Sequence, residues 1–191
     1  MNQRLLAMDT LAAGRFTEVM LDLLRALSLL AATLMTGAMT GVFGIYANAI
    51  MPGLRATDDR TFVGAFQSID RAIINPLFML TFLGALVFAA VAAGLHAGER
   101  SVLVWVAAAF VLYLAVVVIT LAVNVPLNDA LKAAGDPDRI ADLAQVRERF
   151  DEARWVGWNI VRTILSAAAF ACLCWALVEY GRASTGSSST A

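Results

Sequence analysis

Charged residues and histidine are scarce in this chain of 191 residues. Asp, Glu, Lys and Arg together make up 15% of it, whereas an ordinary soluble domain contains roughly 25%. His96 is the only histidine, and a single histidine does not build a zinc or copper site of the usual kind. The sequence therefore predicts no metal site.

Redox-active cysteine pairs and basic patches are missing as well. Cys172 and Cys174 are two residues apart in an apolar run, a spacing that points them to nearly opposite faces of a helix. A redox pair is usually Cys-x-x-Cys, so we interpret both cysteines as apolar packing residues. The net charge is -1 and no run of Lys or Arg occurs, so we expect no nucleic-acid partner.

Apolar residues are abundant instead, at 60% of the chain. They form four runs, at about 26–48, 74–96, 101–123 and 156–180, and each run exceeds the roughly 20 residues that cross a bilayer. We predict an all-α fold, a four-helix integral membrane bundle in the lipid bilayer. It forms one domain over 1–180, followed by a disordered Gly/Ser/Thr-rich tail over 181–191.

The two long connections between these runs are predicted to hold amphipathic helices at the membrane interface. Met51-Pro52-Gly53 is expected to break the first helix, and apolar residues then recur every three or four positions. This stripe consists of Phe62, Phe66, Ile69 and Ile73. In the second connection Asp136-Pro137 is typical of a helix start. The apolar side of that helix would consist of Ile140, Leu143, Val146 and Phe150.

Glycines at a spacing of four occur in the first apolar run. Gly37 and Gly41 form the pattern Gly-x-x-x-Gly. Small residues at this spacing let a neighbouring helix approach closely in a membrane. We therefore predict a helix–helix contact at this position, with a groove for a flat ligand as the alternative.

A polar segment ends the third apolar run. Asn124 and Asn128 are four residues apart, so they share one face of a helix, and Asp129 follows. Pro126 lies between them and weakens that helix, because it has no N–H to donate and its ring crowds the carbonyl four residues before it. We therefore expect a membrane helix that loosens and presents polar groups as it reaches the interface.

An arginine lies about two turns inside the fourth apolar run. Arg162 shares a face with Trp155 and Asn159, and an unpaired arginine at mid-membrane costs at least ~2.5–3.5 kcal/mol on insertion scales. Arg162 is therefore expected to face the bundle and find acceptors, either Asn124, Asn128 and Asp129 or the carbonyls that Pro126 frees. Four spans bring both long connections to one membrane face, so these polar groups converge there together with Gln67 and Asp70.

Two combined motifs carry a resemblance to a known family. Asn-x-Pro-x-Asn at 124–128 and Trp-x-x-Trp-Asn-x-x-Arg at 155–162 together resemble the anthrone-oxygenase-like membrane family. The resemblance implies a four-helix membrane protein, here in a bacterial plasma membrane. Some members oxidise anthrones to anthraquinones in polyketide pathways with molecular oxygen, without a metal or an organic cofactor. Many bacterial members have no assigned reaction.

Two classes of function remain open. As a cofactor-free oxygenase of a flat, hydrophobic phenol, the protein needs a base and donors to a developing oxyanion in an apolar cavity. The base would be Asp129, with Asp70 as the alternative, and the donors would be Arg162, Asn124, Asn128 and Asn159. The substrate-binding candidates are Tyr113, Trp158, Trp155, Phe66 and Gln67. As a membrane scaffold or a lipid-binding bundle, the protein would use the same polar groups to fasten span three to span four. A transporter is less favoured, because no internal repeat is found.

Overall fold

The computed structural model describes residues 2–188, with side chains for 13–183, and it is helical throughout, with no strand in that range. The helices are α1 (Asn2–Ile45), α2 (Met51–Arg55), α3 (Asp59–Ile73), α4 (Pro76–Leu95), α5 (Arg100–Ile119), α6 (Val125–Ala133), α7 (Leu143–Phe150) and α8 (Glu152–Ser188). Two π-helical segments, Tyr46–Ile50 and Thr120–Asn124, join α1 to α2 and α5 to α6. The predicted all-α class is confirmed.

Four helical stretches are long and apolar enough to cross a membrane: Ala13–Arg55, Pro76–Leu95, Arg100–Ala133 and Leu143–Ala183. Large apolar side chains such as Val87, Val111 and Ile164 are exposed on their outer faces. Exposure of so much apolar surface is unfavourable in water and favourable in lipid. The chain is therefore an integral, multi-pass membrane protein.

The four spanning helices close into a ring. Helix α1 packs against α4 and α8, and α5 packs against α8 and α4. Their inward faces bury a continuous apolar core from one end of the bundle to the other. Its largest fully buried members include Leu29, Met39, Val106, Tyr113 and Leu173. This core fixes the relative heights of the helix ends that build the site described below.

A second apolar cluster closes one end of the bundle. The predicted stripe of α3 is confirmed at Phe62 and Phe66, which are buried against Phe150 of α7 and Trp155 of α8. Asp58 caps α3, and its hydrogen bonds from the hydroxyl and the N–H of Thr61 hold the pKa of that carboxyl below its usual range. Helix α3 therefore lies across the ends of the spanning helices and places its polar side chains beside them.

The start of α7 differs from the prediction. Asp136 and Pro137 begin only a single 3-10 turn, Pro137–Arg139, and α7 begins at Leu143, with Asp142 accepting a hydrogen bond from the N–H of Gln145. Asp136 does accept from the N–H of Asp138, so the capping signal was real. The sequence from 140 to 142 does not continue the turn, and Asp142 supplies a second cap.

The two prolines at the ends of α1 and α5 do not break their helices. Each π-helical segment ends two residues before a proline, Pro52 or Pro126. In each, the N–H of the residue before the proline bonds to a carbonyl five residues back, that of Tyr46 or Thr120. The wider turn accommodates the missing N–H and the ring of the proline. The predicted break at Met51-Pro52-Gly53 is therefore wrong, since the helical path continues to Arg55.

Helix α8 continues to Ser188, into the segment 181–191 for which the sequence predicts a disordered tail. Adding a residue to an existing helix requires no new nucleus, so a Ser/Thr-rich extension can follow a stable span. The last three positions of that predicted tail, 189–191, lie outside the described residues.

The Gly-x-x-x-Gly pattern yields a prediction with its own control. A Cβ at Gly37 would lie 2.8 Å from Cε2 of Phe170 on α8, whereas a Cβ at Gly41 would meet nothing within 4 Å. We expect Gly37→Ala to force Phe170 out of place and lower the stability of the detergent-solubilised protein by about 1–3 kcal/mol. Gly41→Ala should be neutral or slightly stabilising, because alanine favours helix. Thermal unfolding of the two variants tests this, and equal effects would contradict it.

Candidate functional site

An apolar cleft of about 100 Å³ lies where the helix ends converge. Helices α1, α3, α4 and α8 and the π-helical end of α5 all contribute to its walls. Its main apolar walls are Phe43, Tyr46, Phe66, Ile73, Phe78 and Trp155. Five polar side chains also line it, namely Asp70, Thr120, Asn124, Asn128 and Arg162. The predicted convergence of polar groups at one membrane face is thus present in the fold.

Arg162 faces the interior of the bundle and is 5% exposed. Its Nη1 donates to Oγ1 of Thr120 at 3.1 Å, and its Nη2 donates to Oδ1 of Asn159 at 2.8 Å. The guanidinium also lies over the ring of Phe43, 4.6 Å from its centroid. Burial of Arg162 was predicted, but its acceptors are Thr120 and Asn159, not the expected groups around Pro126.

Asn159 holds this arginine in place. It lies almost one turn before Arg162 on α8, so its side-chain oxygen reaches the guanidinium, while its Nδ2 donates to the carbonyl of Phe43 at 3.0 Å. The residue is fully buried and does not line the cleft. Asn159 therefore joins α8 to α1 and orients Arg162, and it is not positioned to contact a ligand directly.

Two buried polar atoms beside the cleft have no partner within the part of the chain that the structure describes. They are Oδ1 of Asn124, an acceptor, and Nε of Arg162, a donor. Asn124 uses its Nδ2 to donate to the carbonyl of Trp155 at 3.3 Å, so its oxygen is left over. Buried polar groups are normally paired, and both residues line the cleft. The side chains that line the cleft thus include one buried acceptor and one buried donor that no described residue pairs with.

A carboxylate completes the polar lining. Asp70, on the polar side of α3, is 5% exposed. Its Oδ1 accepts from Nδ2 of Asn128 at 2.7 Å, and its Oδ2 pairs with Nζ of Lys132 at 3.0 Å. Asn128 is fixed in turn by Nε1–H of Trp155, which donates to its Oδ1 at 2.7 Å. These contacts link α3, α6 and α8 and hold the carboxylate in one orientation at the edge of the cleft.

Several predicted site residues lie elsewhere. The side chain of Asp129 is 60% exposed and pairs with Lys132, outside the cleft. Tyr113 lies in the bundle core, where its hydroxyl donates to the carbonyl of Phe82. Trp158 is 39% exposed on the outer face of α8.

Gln67 also lies away from the cleft. Its Nε2 donates to the carbonyls of Leu131 and Gly135, where α6 ends, so this side chain fastens α3 to α6. Of the aromatic candidates, Phe66 and Trp155 do line the cleft. The polar side of α3 therefore serves two purposes, with Gln67 holding the helix and Asp70 facing the cavity.

Several contributors are not identified from the sequence as site residues, among them Phe43, Tyr46 and Lys132. Phe43 and Tyr46 line the cleft from the end of α1, and Lys132 pairs with Asp70. A partial signal existed, since Phe43 and Tyr46 are three apart and thus on one face near the end of a span. No pattern within the sequence connects Lys132 to a carboxylate 62 positions earlier, because that contact depends on how α3 folds back.

The side chains described here offer no ready metal site. Among the described residues, no group of three His, Cys, Asp or Glu side chains lies close enough to hold a metal ion. The polar groups at the cleft are two carboxamides, the hydroxyl of Thr120, a guanidinium and one carboxylate that is already paired with an ammonium. This set suits hydrogen bonding to an organic oxygen better than metal coordination.

A comparison with models of protein families shows to which family the chain belongs. The model of the anthrone oxygenase family matches residues 62–172, which is more than half of the sequence. The chain belongs to the anthrone oxygenase family. Comparisons with curated proteins and with solved structures gave no match.

The match to the anthrone oxygenase family includes most of the cleft. It begins in α3 and ends within α8, so it contains Asp70, Asn124, Asn128 and Arg162. The walls from α1, such as Phe43, precede the matched residues. In this anthrone oxygenase family member, the polar lining therefore comes from the shared part of the chain.

The role of Asn159 can be tested through stability. Asn159→Ala removes an acceptor from Arg162 and a donor from the carbonyl of Phe43, and leaving buried polar groups unpaired costs about 1–3 kcal/mol each, more for a charged one. We expect a loss of about 2–5 kcal/mol in thermal unfolding of the solubilised protein. Asn48→Ala, at an exposed asparagine of the first π-helical segment, is the control and should change little. Equal stability of the two variants would show that the hydrogen bonds of Asn159 do not stabilise the fold.

Proposed function

We propose that this protein is an oxygenase of the bacterial plasma membrane that oxidises a flat, hydrophobic phenol or an enolisable ring ketone with molecular oxygen. The observation that supports this is the pair of unpartnered polar atoms, Oδ1 of Asn124 and Nε of Arg162, whose side chains line one cleft together with the carboxylate of Asp70. Membership of the anthrone oxygenase family supports the same chemistry.

The two unpartnered atoms complement a hydroxyl group. A phenolic or enolic O–H donates to Oδ1 of Asn124, while its oxygen accepts from Nε–H of Arg162. The positive charge of Arg162 favours this oxygen as an anion, and preorganised donors act strongly where water is excluded. A buried carboxamide and a buried guanidinium that lack partners would discriminate against a ligand with no oxygen at this position.

The size of the cleft limits how the ligand lies. Drug-sized ligands usually occupy pockets of roughly 300–1,000 Å³, whereas this cleft has about 100 Å³. It therefore accommodates the oxygen-bearing edge of a ring system, between Phe43, Phe66 and Trp155. The remaining rings of the ligand then lie outside the cleft.

The reaction can be written for an anthrone as the balanced conversion of anthrone and one dioxygen molecule to anthraquinone and one water molecule. Asp70 removes a proton from the CH₂ carbon, and the enolate oxygen is held by Arg162. The enolate reduces dioxygen and bonds to it through carbon, and the proton on Asp70 passes to the resulting peroxide. Asp70 then takes the second C–H proton as the O–O bond breaks, which forms the carbonyl and releases water.

A structural role is the second candidate. Arg162 already donates through Nη1 and Nη2 to Thr120 and Asn159. These bonds fit a structural role in which the polar cluster fastens the end of α5 to α8, and we call this arrangement the clasp. In that case the protein is a membrane scaffold or binds lipid or a small hydrophobe, and water pairs with Asn124. The two candidate functions differ in whether a phenolic ligand displaces water from the cleft.

Oxygen uptake by the purified protein tests the proposal. Anthrone is added to protein in lipid nanodiscs with a metal chelator present, and oxygen consumption and anthraquinone are followed together. We expect one dioxygen per anthraquinone, at a rate well above that of empty nanodiscs and of heat-inactivated protein. A rate equal to those blanks would exclude anthrone oxidation and favour the clasp.

A further inference from the structure

A second cavity adjoins the cleft on the outside of the bundle. It is a groove of about 230 Å³ between α1 and α4, lined by Ala38, Met39, Val42, Asn75, Leu77, Phe78 and Thr81. Two of these residues, Val42 and Phe78, also line the cleft. Among the residues that the structure describes, these two are the side chains common to the groove and the cleft, so they form the partition between them.

The groove lies on the apolar outer surface. Its walls come from two spanning helices, α1 and α4. Leu77 is 74% exposed and Ala38 is exposed, and the next residues outward on α4 include Leu80, which is 59% exposed. In a bilayer these side chains contact acyl chains, because no aqueous phase reaches the outside of a spanning helix. The groove therefore opens to lipid.

The side of the cleft that faces α7 is closed by aromatic packing. The Phe66 and Phe150 rings lie 4.7 Å apart between centroids, and the Phe66 and Trp155 rings lie 5.7 Å apart. Phe62 and Leu131 are fully buried in the same cluster. A ligand arriving from that side would have to separate these rings. Toward the groove, Val42 and Phe78 are the lining residues that the two cavities share.

We propose that the cleft takes up its ligand sideways from the bilayer, through the groove between α1 and α4, with Phe78 and Val42 as the movable partition. The ligand is an aromatic molecule already dissolved in lipid, and this identity rests on the proposed function. The route itself does not depend on turnover.

The geometry of Phe78 suits such a partition. Asn75 caps α4 and accepts from the N–H of Phe78 at 3.0 Å, so the backbone at this position is fixed. The Phe78 ring is half-buried and stacks on Phe82, with centroids 5.9 Å apart and planes 4° from parallel. Rotation of the Phe78 side chain opens the cleft to the groove without disturbing the helix, and side-chain rotations of this kind are fast.

Quenching of Trp155 fluorescence tests the route without a substrate. The other tryptophans, Trp105, Trp158 and Trp175, are replaced by Phe, which leaves the one tryptophan that lines the cleft. The protein is placed in nanodiscs, and quenching is measured with lipids brominated in the acyl chain and with aqueous iodide. Because Phe→Ala leaves a cavity at the partition, Phe78→Ala should raise quenching by the brominated lipid roughly twofold or more. Iodide quenching should not change.

Val42→Ala is a second variant of the partition, in case Phe78→Ala does not fold. Leu80→Ala, on the outer face of α4, is the control and should have no effect on quenching. The rates of binding of a dihydroxyanthraquinone are then compared. We expect Phe78→Ala to raise its association and dissociation rates together. If iodide rather than brominated lipid gains access, or if both partition variants behave like Leu80→Ala, the lipid route is wrong. Failure of the dye to bind any variant would contradict the proposed function, whereas the quenching result would still decide the route.

Discussion

Asp70→Asn should lower the rate of anthrone oxidation by about 10²–10⁴-fold, the usual contribution of a positioned general base. Asp70 is the only carboxylate among the residues found to line the cleft, so no neighbouring acid replaces it. Asparagine has nearly the same shape, and its side-chain oxygen can still accept from Asn128. Initial rates of oxygen uptake give the effect, and thermal unfolding shows whether the fold is retained.

Asp129→Asn is the matched control. Both aspartates pair with the same ammonium, Lys132, at 3.0 Å and 2.9 Å, but the side chain of Asp70 is 6% exposed and that of Asp129 is 60% exposed. Loss of the Asp129 carboxylate should leave the rate nearly unchanged, because this group does not reach the cleft. The reverse result, with Asp129→Asn inactive and Asp70→Asn active, would remove Asp70 from the mechanism and return the role of base to Asp129.

The difference between these aspartates shows where the sequence was informative. Asp129 follows Asn128 directly, so it points about 100° away from the face that Asn124 and Asn128 share. That angle already argues against a common site. The sequence names Asp70 as the alternative base, but its contact with Asn128 spans 58 positions. Such a contact depends on how α3 folds back over the bundle, which no local periodicity specifies.

The spanning helices themselves were predictable because their signal is strong and local. Long apolar runs admit only helices in lipid, since every backbone polar group must be paired within its own segment. The topology followed, and with it the gathering of polar groups at one face. The π-helical segments before Pro52 and Pro126 were not predicted, because a proline permits a break, a kink or a wider turn, and surrounding packing selects among them.

For Arg162, burial is predictable from the sequence, but the hydrogen-bond partners are not. Its depth in an apolar run required that it face the protein, and the structure places it there at 5% exposure. Its acceptors, however, are decided by the π-helical turn that begins at Thr120 and by the position of Asn159 on its own helix. The sequence alone therefore predicts that the charge of Arg162 is buried in the protein and paired. Which residues pair with it depends on the tertiary structure.

Arg162→Lys should weaken binding of a dihydroxyanthraquinone by roughly 10–150-fold, corresponding to about 1.5–3 kcal/mol for a hydrogen bond to a charged group. Lysine keeps the charge and can reach one acceptor, such as Oδ1 of Asn159. It cannot supply the planar set of donors that serves Thr120, Asn159 and a ligand together. The dissociation constant, measured by quenching of tryptophan fluorescence, gives the effect.

Arg154→Lys, at an exposed arginine two turns earlier on α8, controls for a general change of surface charge and should leave binding unaltered. The comparison with Asn159→Ala then decides between the two roles of the cluster. If the cluster has only a structural role, Arg162→Lys and Asn159→Ala should lower the stability of the protein by similar amounts. Any loss of ligand affinity should then follow from the loss of stability. A ligand site predicts that Arg162→Lys loses affinity while much of the stability remains, because Nε of Arg162 is the donor that no described residue of the protein uses.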